Sequence, residues 1–124
     1  MSKDKNLERR SISRVLISVS DKSGISELAK GLDKMGIELI STGGTSKSIN
    51  DAGVNVVPVE EVTNFPEMID GRVKTLHPNI FGGILSRDSD SEEVNKHQIK
   101  TIDMVICNLY PFMKAASDLS LIHI

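Results

Sequence analysis

The order of elements repeats near the start of this chain, and that order restricts the fold more than any other feature. Val15-Leu16-Ile17-Ser18-Val19 is a short apolar run rich in β-branched residues, which marks a buried strand. Ser20-Asp21-Lys22-Ser23-Gly24 then supplies a turn with several helix-capping side chains. Ile25, Leu28, Ala29, Leu32 and Met35 follow at helical spacing, Glu27, Lys30 and Lys34 lie off that stripe, and Gly36 stands where a C-terminal cap glycine belongs. The pattern recurs with a strand over 37–40, a turn over 41–45, a short helix over 46–52 stopped by Gly53, and a third strand over 54–59. Pro58 cannot donate to a ladder, so that strand belongs at an edge or ends there. Two strand–helix–strand units in succession require a parallel sheet with right-handed crossovers.

Beyond this point residues 60–90 read as mostly irregular, rich in Gly, Pro and polar side chains. A connection that long within a small domain is usually either functional or disordered, and its density of motifs favours function. Residues 91–100 read as a polar helix and Met104-Val105-Ile106-Cys107 as a last buried strand. Residues 1–13 form a polar, aperiodic arm. The fold class is α/β, with a mostly parallel sheet.

At 124 residues the chain has room for one compact domain. With aromatics at 3% and no Trp, the core must be built from Val, Ile, Leu and Met. A net charge of -2 lacks the basic excess of a nucleic-acid or membrane-surface binder. The single cysteine, Cys107, rules out an internal disulfide and a Cys-type zinc site, and in an apolar run it reads as a small buried hydrophobe. No stretch approaches the roughly 20 apolar residues of a membrane helix, and no apolar signal core is present, so a cytoplasmic protein is expected.

In open α/β sheets ligands bind beyond the carboxyl ends of the strands, and three unusual segments fall there. In Ser41-Thr42-Gly43-Gly44-Thr45 two glycines let the backbone approach an anion, while the hydroxyls and the following helix N-terminus supply donors. The same residues also suit a plain capped turn. They form neither a Walker A loop nor a GxGxxG fingerprint, so ATP and NAD are not indicated. Ser18, Ser20 and Lys22 alternate at the exit of the first strand and can present two hydroxyls and an ammonium on one side. Asn108 and Tyr110 follow the last strand, where Asn can read a donor–acceptor edge and Tyr can move a proton; equally, Tyr110 and Phe112 can roof the core. Within the long connection, Arg72 and Lys74 alternate and so face one way in an extended backbone. Arg offers a fork for phosphate or carbonyl, Lys a compact charge for a developing oxyanion, and Thr75 a hydroxyl.

These segments, in this order, resemble the N-terminal IMP cyclohydrolase domain of the bifunctional AICAR transformylase/IMP cyclohydrolase family. The matching text is Leu16-Ile17-Ser18-Val19-Ser20-Asp21-Lys22, the 41–45 turn, Asn64-Phe65-Pro66-Glu67-Met68-Ile69-Asp70-Gly71-Arg72-Val73-Lys74-Thr75-Leu76-His77-Pro78, and Cys107-Asn108-Leu109-Tyr110-Pro111-Phe112. The resemblance implies a three-layer, methylglyoxal-synthase-like fold over residues 14–114, incomplete at its C-terminus. The implied reaction is cyclodehydration of the formamido-imidazole nucleotide FAICAR to IMP in purine biosynthesis, with no metal and no cofactor in that step. Lys74, Arg72 and Tyr110 are implied as catalytic residues. Ser18, Ser20, Lys22, Thr42, Gly43, Gly44, Thr45, Thr75, Asn108 and Leu109 are implied as substrate-binding. A parent protein of this kind is a homodimer and uses 10-formyltetrahydrofolate in a separate transformylase domain.

After Lys114 the text departs from the family, whose next segment carries an Ile-Asp-Ile-Gly-Gly run and a further lysine. Leu119-Ser120-Leu121-Ile122-His123-Ile124 is what a sequencing-library transposon end encodes in one frame. The expectation is therefore a non-native tail over 115–124 on a fragment that is inactive by itself. Methylglyoxal synthase itself is disfavoured, because its chemistry needs a carboxylate where Gly71-Arg72-Val73-Lys74 stands. A non-catalytic nucleotide- or phosphate-binding module of the same fold remains the alternative reading.

Overall fold

A computed structural model describes residues 11–66, 68–69 and 74–109. Four parallel strands stand in the order β3-β2-β1-β4: β1 (Arg14–Ser18), β2 (Glu38–Ser41), β3 (Val57–Pro58) and β4 (Met104–Cys107). The chain steps outward from β1 through β2 to β3, then returns to place β4 on the other side of β1. The order therefore reverses at β1, which is where an open α/β sheet leaves a crevice.

Period-2 alternation along β1 and β2 divides the core into two layers. Val15, Ile17 and Leu39 point to one face, where they meet Ile25, Ala29 and Leu32 of α1 (Ile25–Lys34) and Ile49 of α2 (Gly43–Asp51). Leu16 and Ile40 point to the other face, against Val59 of α3 (Val59–Thr63) and Ile80 of α4 (Pro78–Leu85), with Ile102. The result is a helix–sheet–helix sandwich. Gly36, at φ 78, ends α1 as its position in the sequence predicts, and Ile37 then donates back to the Leu32 carbonyl at 3.2 Å.

Several sequence expectations need correcting. The third strand has only two residues, because Pro58 serves as the N-cap of α3 and the chain coils from Val59 onward. The connection over 60–90 holds α4, whose N-cap His77 accepts from the Asn79 amide at 3.0 Å with Pro78 behind it, and a 3-10 turn at Asp88–Asp90. The last helix, α5 (Ser91–Lys96), stops four residues earlier than expected, with Gln98 in the left-handed region. α2 begins at Gly43 rather than Ser46, so both glycines belong to its first turn. Leu28 and Met35 lie on the exposed side of α1. β4 is an edge among the described residues, and Met104, Val105 and Cys107 are exposed instead of buried. At the other end, Ile12 packs on the core and Asp103 accepts from the amides of Ser13 and Arg14, so the order begins inside the expected arm. Residues 1–10 and the expected tail at 115–124 lie outside the described residues.

Two helical glycines make opposite predictions. A Cβ on Gly83 would lie 2.6 Å from the Lys100 carbonyl oxygen, a backbone atom that cannot swing aside, whereas a Cβ on Gly31 meets nothing within 4 Å. Gly83→Ala should therefore destabilise the chain by about 1–3 kcal/mol through overpacking. Gly31→Ala should stabilise it by roughly 0.5–1 kcal/mol through reduced chain entropy. Urea denaturation of both variants checks the pair, and stabilisation by both would contradict the packing at Gly83.

Candidate functional site

The carboxyl ends of β1, β2 and β4 open into one cleft of about 390 Å³. Ser18, Val19, Ser20 and Lys22 line it from the exit of β1, Thr42, Gly44 and Thr45 from the exit of β2, Asn108 from beyond β4, and Lys74 from the long connection. Residues from four separate stretches thus converge at the point where the strand order reverses.

The polar groups on its floor are spent on one another. Thr42 is the N-cap of α2, yet its hydroxyl does not cap the helix; it lies 3.0 Å from the Ser18 hydroxyl. The helix therefore starts without a side-chain cap, and its first turn carries no acidic side chain to compete with an anion. Thr45 is buried, and its hydroxyl donates to the Val19 carbonyl at 3.1 Å and accepts from the Val19 amide at 3.3 Å. Ser41, fully buried, donates to the Ile17 carbonyl at 2.8 Å and binds the end of β2 to β1.

Lys22 curls back over the same turn. Its Nζ donates to the carbonyls of Val19 at 3.1 Å and Ser20 at 3.3 Å, and its stem passes Gly44 so closely that a Cβ there would touch Cε at 3.4 Å. Asp21 caps the turn beneath it, with Oδ1 accepting from the Ser23 hydroxyl at 2.7 Å and the Ser23 amide at 2.9 Å. Those two bonds, with a smaller contribution from Lys22, hold its carboxyl below the ordinary value.

Of the residues singled out in the sequence, Ser18, Ser20, Lys22, Thr42, Gly44, Thr45, Lys74 and Asn108 meet in this cleft. Gly43 opens α2 beside it. Thr75 is half-buried outside the lining, and Leu109 is 94% exposed. Arg72 and Tyr110 lie outside the described residues. Sequence reasoning missed Val19, whose backbone is the shared anchor for Thr45 and Lys22; a main-chain role leaves no mark in residue identity. It offered the Ser20–Gly24 turn as a side-chain helix cap, whereas α1 takes Gly24 as its N-cap with no side-chain bond and Asp21 instead caps the turn before it. A larger hollow of about 690 Å³ lies at the opposite, amino end of the strands. There the buried Arg14 donates from Nη1 to the Lys100 carbonyl at 3.0 Å, while its Nε lies 3.5 Å from a Glu38 carboxylate oxygen and makes no hydrogen bond among the described residues.

An open parallel sheet with helices on both faces and a Gly-Gly helix start at its switch point places the chain among α/β domains. This chain belongs to the MGS-like domain family, whose model matches residues 24–123. It is similar to the N-terminal region of the bifunctional purine biosynthesis protein PurH. The PurH of Streptococcus pneumoniae serotype 2 (strain D39) is 60% identical over 102 residues, covering 80% of this chain and 20% of that protein. The PurH of Oceanobacillus iheyensis is 54% identical over 113 residues, covering 89% and 22%. That of Acetivibrio thermocellus is 53% identical over 116 residues, covering 88% and 23%. The chain therefore spans about a fifth of the length of these relatives. Among solved structures, the crystal structure of ForH superposes with a TM-score of 0.72 at 38% identity, covering 81% of this chain and 54% of that one. No helix among the described residues is long and apolar enough to cross a membrane.

Two measurements check the geometry of the turn. Thr45→Val should cost about 1–3 kcal/mol, because it leaves the Val19 amide and carbonyl facing a methyl group. Loss below 0.5 kcal/mol in a urea melt would contradict the paired bonds. The Asp21 carboxyl should titrate below its ordinary value by NMR and return toward it in Ser23→Ala. Because the folded value is the lower one, its contribution to stability is present above the ordinary carboxylate range and is lost as pH falls through the folded value. An unchanged Asp21 titration in Ser23→Ala would contradict the cap.

Proposed function

We infer that the cleft binds the phosphate-bearing nucleotide FAICAR and its ring-closed product IMP, and that it belongs to an IMP cyclohydrolase. The observation that carries this is the position of Lys74: a cation from the long connection lines the same cleft as the first turn of α2 and the exits of three strands. An anion at α2 is favoured by the helix dipole and by a glycine start that lets backbone approach, with Lys22 as charge partner. A nucleotide phosphate seated there leaves the base to extend toward Lys74.

Ring closure needs little beyond positioning and charge. The carboxamide nitrogen attacks the formyl carbon, a carbon–nitrogen bond forms, and negative charge grows on the formyl oxygen. That oxygen then leaves as water, taking one hydrogen from the carboxamide nitrogen and one from the formamide nitrogen. An ammonium such as that of Lys74, fixed beside the formyl oxygen, lowers the barrier electrostatically. No electron transfer is involved, so the step itself calls for no redox partner. Arg72 and Tyr110 are the further residues assigned to the reaction. Homodimerisation, a transformylase domain using 10-formyltetrahydrofolate, and residence in the cytoplasm extend the same reading to a longer parent protein.

A second reading rests on the phosphate cradle alone: Ser18, Thr42, Gly44 and Thr45 line the cleft whether or not any chemistry is done there. On that reading the chain is a nucleotide-binding module of the same family without turnover. Calorimetric titration with IMP, run beside an ultraviolet assay of FAICAR cyclisation, separates the two. IMP should bind, ribose 5-phosphate should compete and inosine should not, because the phosphate supplies the anchor. In a chain that cyclises FAICAR, Lys74→Met should lower turnover by about 10²–10³. Equal binding of inosine and IMP would contradict the anion cradle; binding without cyclisation would favour the module.

A further inference from the structure

Asn108 is the first residue beyond β4, and both ends of its side chain are already engaged. Oδ1 accepts from the Ser20 amide at 2.7 Å, and Nδ2 donates to the Asp21 carbonyl at 2.8 Å. Exchanging the carboxamide's two ends would set donor against donor and acceptor against acceptor, so the partners fix its orientation. The β1–β4 ladder ends with Ser18 opposite Cys107. Past that rung the backbone at residues 20–21 turns away, and the Asn108 carboxamide takes the place that a neighbouring strand's peptide would have filled.

The same turn is gripped from the other side, where Thr45 of α2 holds both polar groups of Val19. Lys22 depends on these anchors, since its Nζ is held by the carbonyls of Val19 and Ser20 and its stem lies over Gly44. Asn108 therefore sits two steps from the charge: it fixes the turn, and the turn fixes the ammonium.

We propose that Asn108 is a positioning residue of the cleft, acting on an anionic ligand through the turn at residues 20–22 and Lys22 rather than by touching the ligand. The carboxamide locks the turn so that the Lys22 charge stands beside Gly44 at the start of α2. This rests on the nucleotide reading above, and it assigns Asn108 a role different from reading the edge of a base.

A double-mutant cycle on IMP affinity tests it, using Asn108→Ala, Lys22→Met and the double variant in calorimetry, with hydrogen exchange at the Ser20 amide measured in the ligand-free chain. Asn108→Ala should weaken IMP about tenfold in the parent background and less than about twofold in the Lys22→Met background, the coupling expected of two residues in one network. The Ser20 amide should be protected in the parent chain and lose that protection in Asn108→Ala. Asn108→Gln keeps the carboxamide but displaces it by one methylene, and serves in the same cycle should the alanine variant not fold. An equal tenfold loss in both backgrounds would mean that Asn108 meets the nucleotide itself, and would overturn the proposal. An unprotected Ser20 amide in the parent chain would overturn it too. Failure of the parent chain to bind IMP would instead sink the nucleotide reading, while the Ser20 exchange still decides whether the staple exists.

Discussion

Everything in this molecule that bears on a ligand depends on the position of β1 between two parallel neighbours. β1 pairs with β2 through Leu16 opposite Ile40 and Ile17 opposite Ser41, and with β4 through Ile17 opposite Ile106 and Ser18 opposite Cys107. Parallel pairing sends all three chains out of the sheet at the same end. Val15 and Ile17 are fully buried on one side, and Leu16 nearly so on the other. A slip of one residue would turn each of them to the wrong layer and separate Ser18 from Thr42. The apolar register of five residues thus sets the alignment of polar groups that are far apart in sequence.

Among the described residues the exits are then held together mainly by side chains bonding to main chain. Ser41 reaches Ile17, Thr45 reaches Val19, Asn108 reaches Ser20 and Asp21, and Lys22 folds back on Val19 and Ser20. Such bonds are directional and short, and each fixes backbone rather than another mobile side chain. The hydroxyls and the amide at the floor are largely occupied in this way. Among the described residues, what the cleft offers a ligand is the charge of Lys22 and Lys74 beside the start of α2.

Much of this was legible in the sequence, for reasons that can be named. β1, β2 and α1 announced themselves by period and by Gly36, and the convergence of the Gly-Gly turn with the ends of β1 and β4 followed from topology. The helix at Pro78–Leu85 was missed although His77 and Pro78 mark a helix start, because Gly82 and Gly83 argue against a helix interior. Those glycines are tolerated for packing: Gly83 lies against the Lys100 carbonyl and Gly82 against Ile99. Val54 to Val59 read as one strand because its composition is β-branched, yet Pro58 turned out to open a helix. The exposure of Cys107 could not be foreseen, since an apolar run does not reveal whether anything covers it. Side-chain identity named Asn108 and Lys22 as site residues, but only geometry shows that both are tied to the same turn.

The central claim is that a nucleotide binds at the carboxyl end of the sheet, anchored by its phosphate on the first turn of α2. The most direct measurement is an NMR titration of the isotopically labelled chain with IMP, followed by amide shifts. The account predicts the largest changes at Gly43, Gly44 and Thr45, with smaller ones at Ser20, Lys22, Lys74 and Asn108. Changes centred instead on Ser13, Arg14, Lys100 and Asp103, at the amino end of the strands, would contradict it.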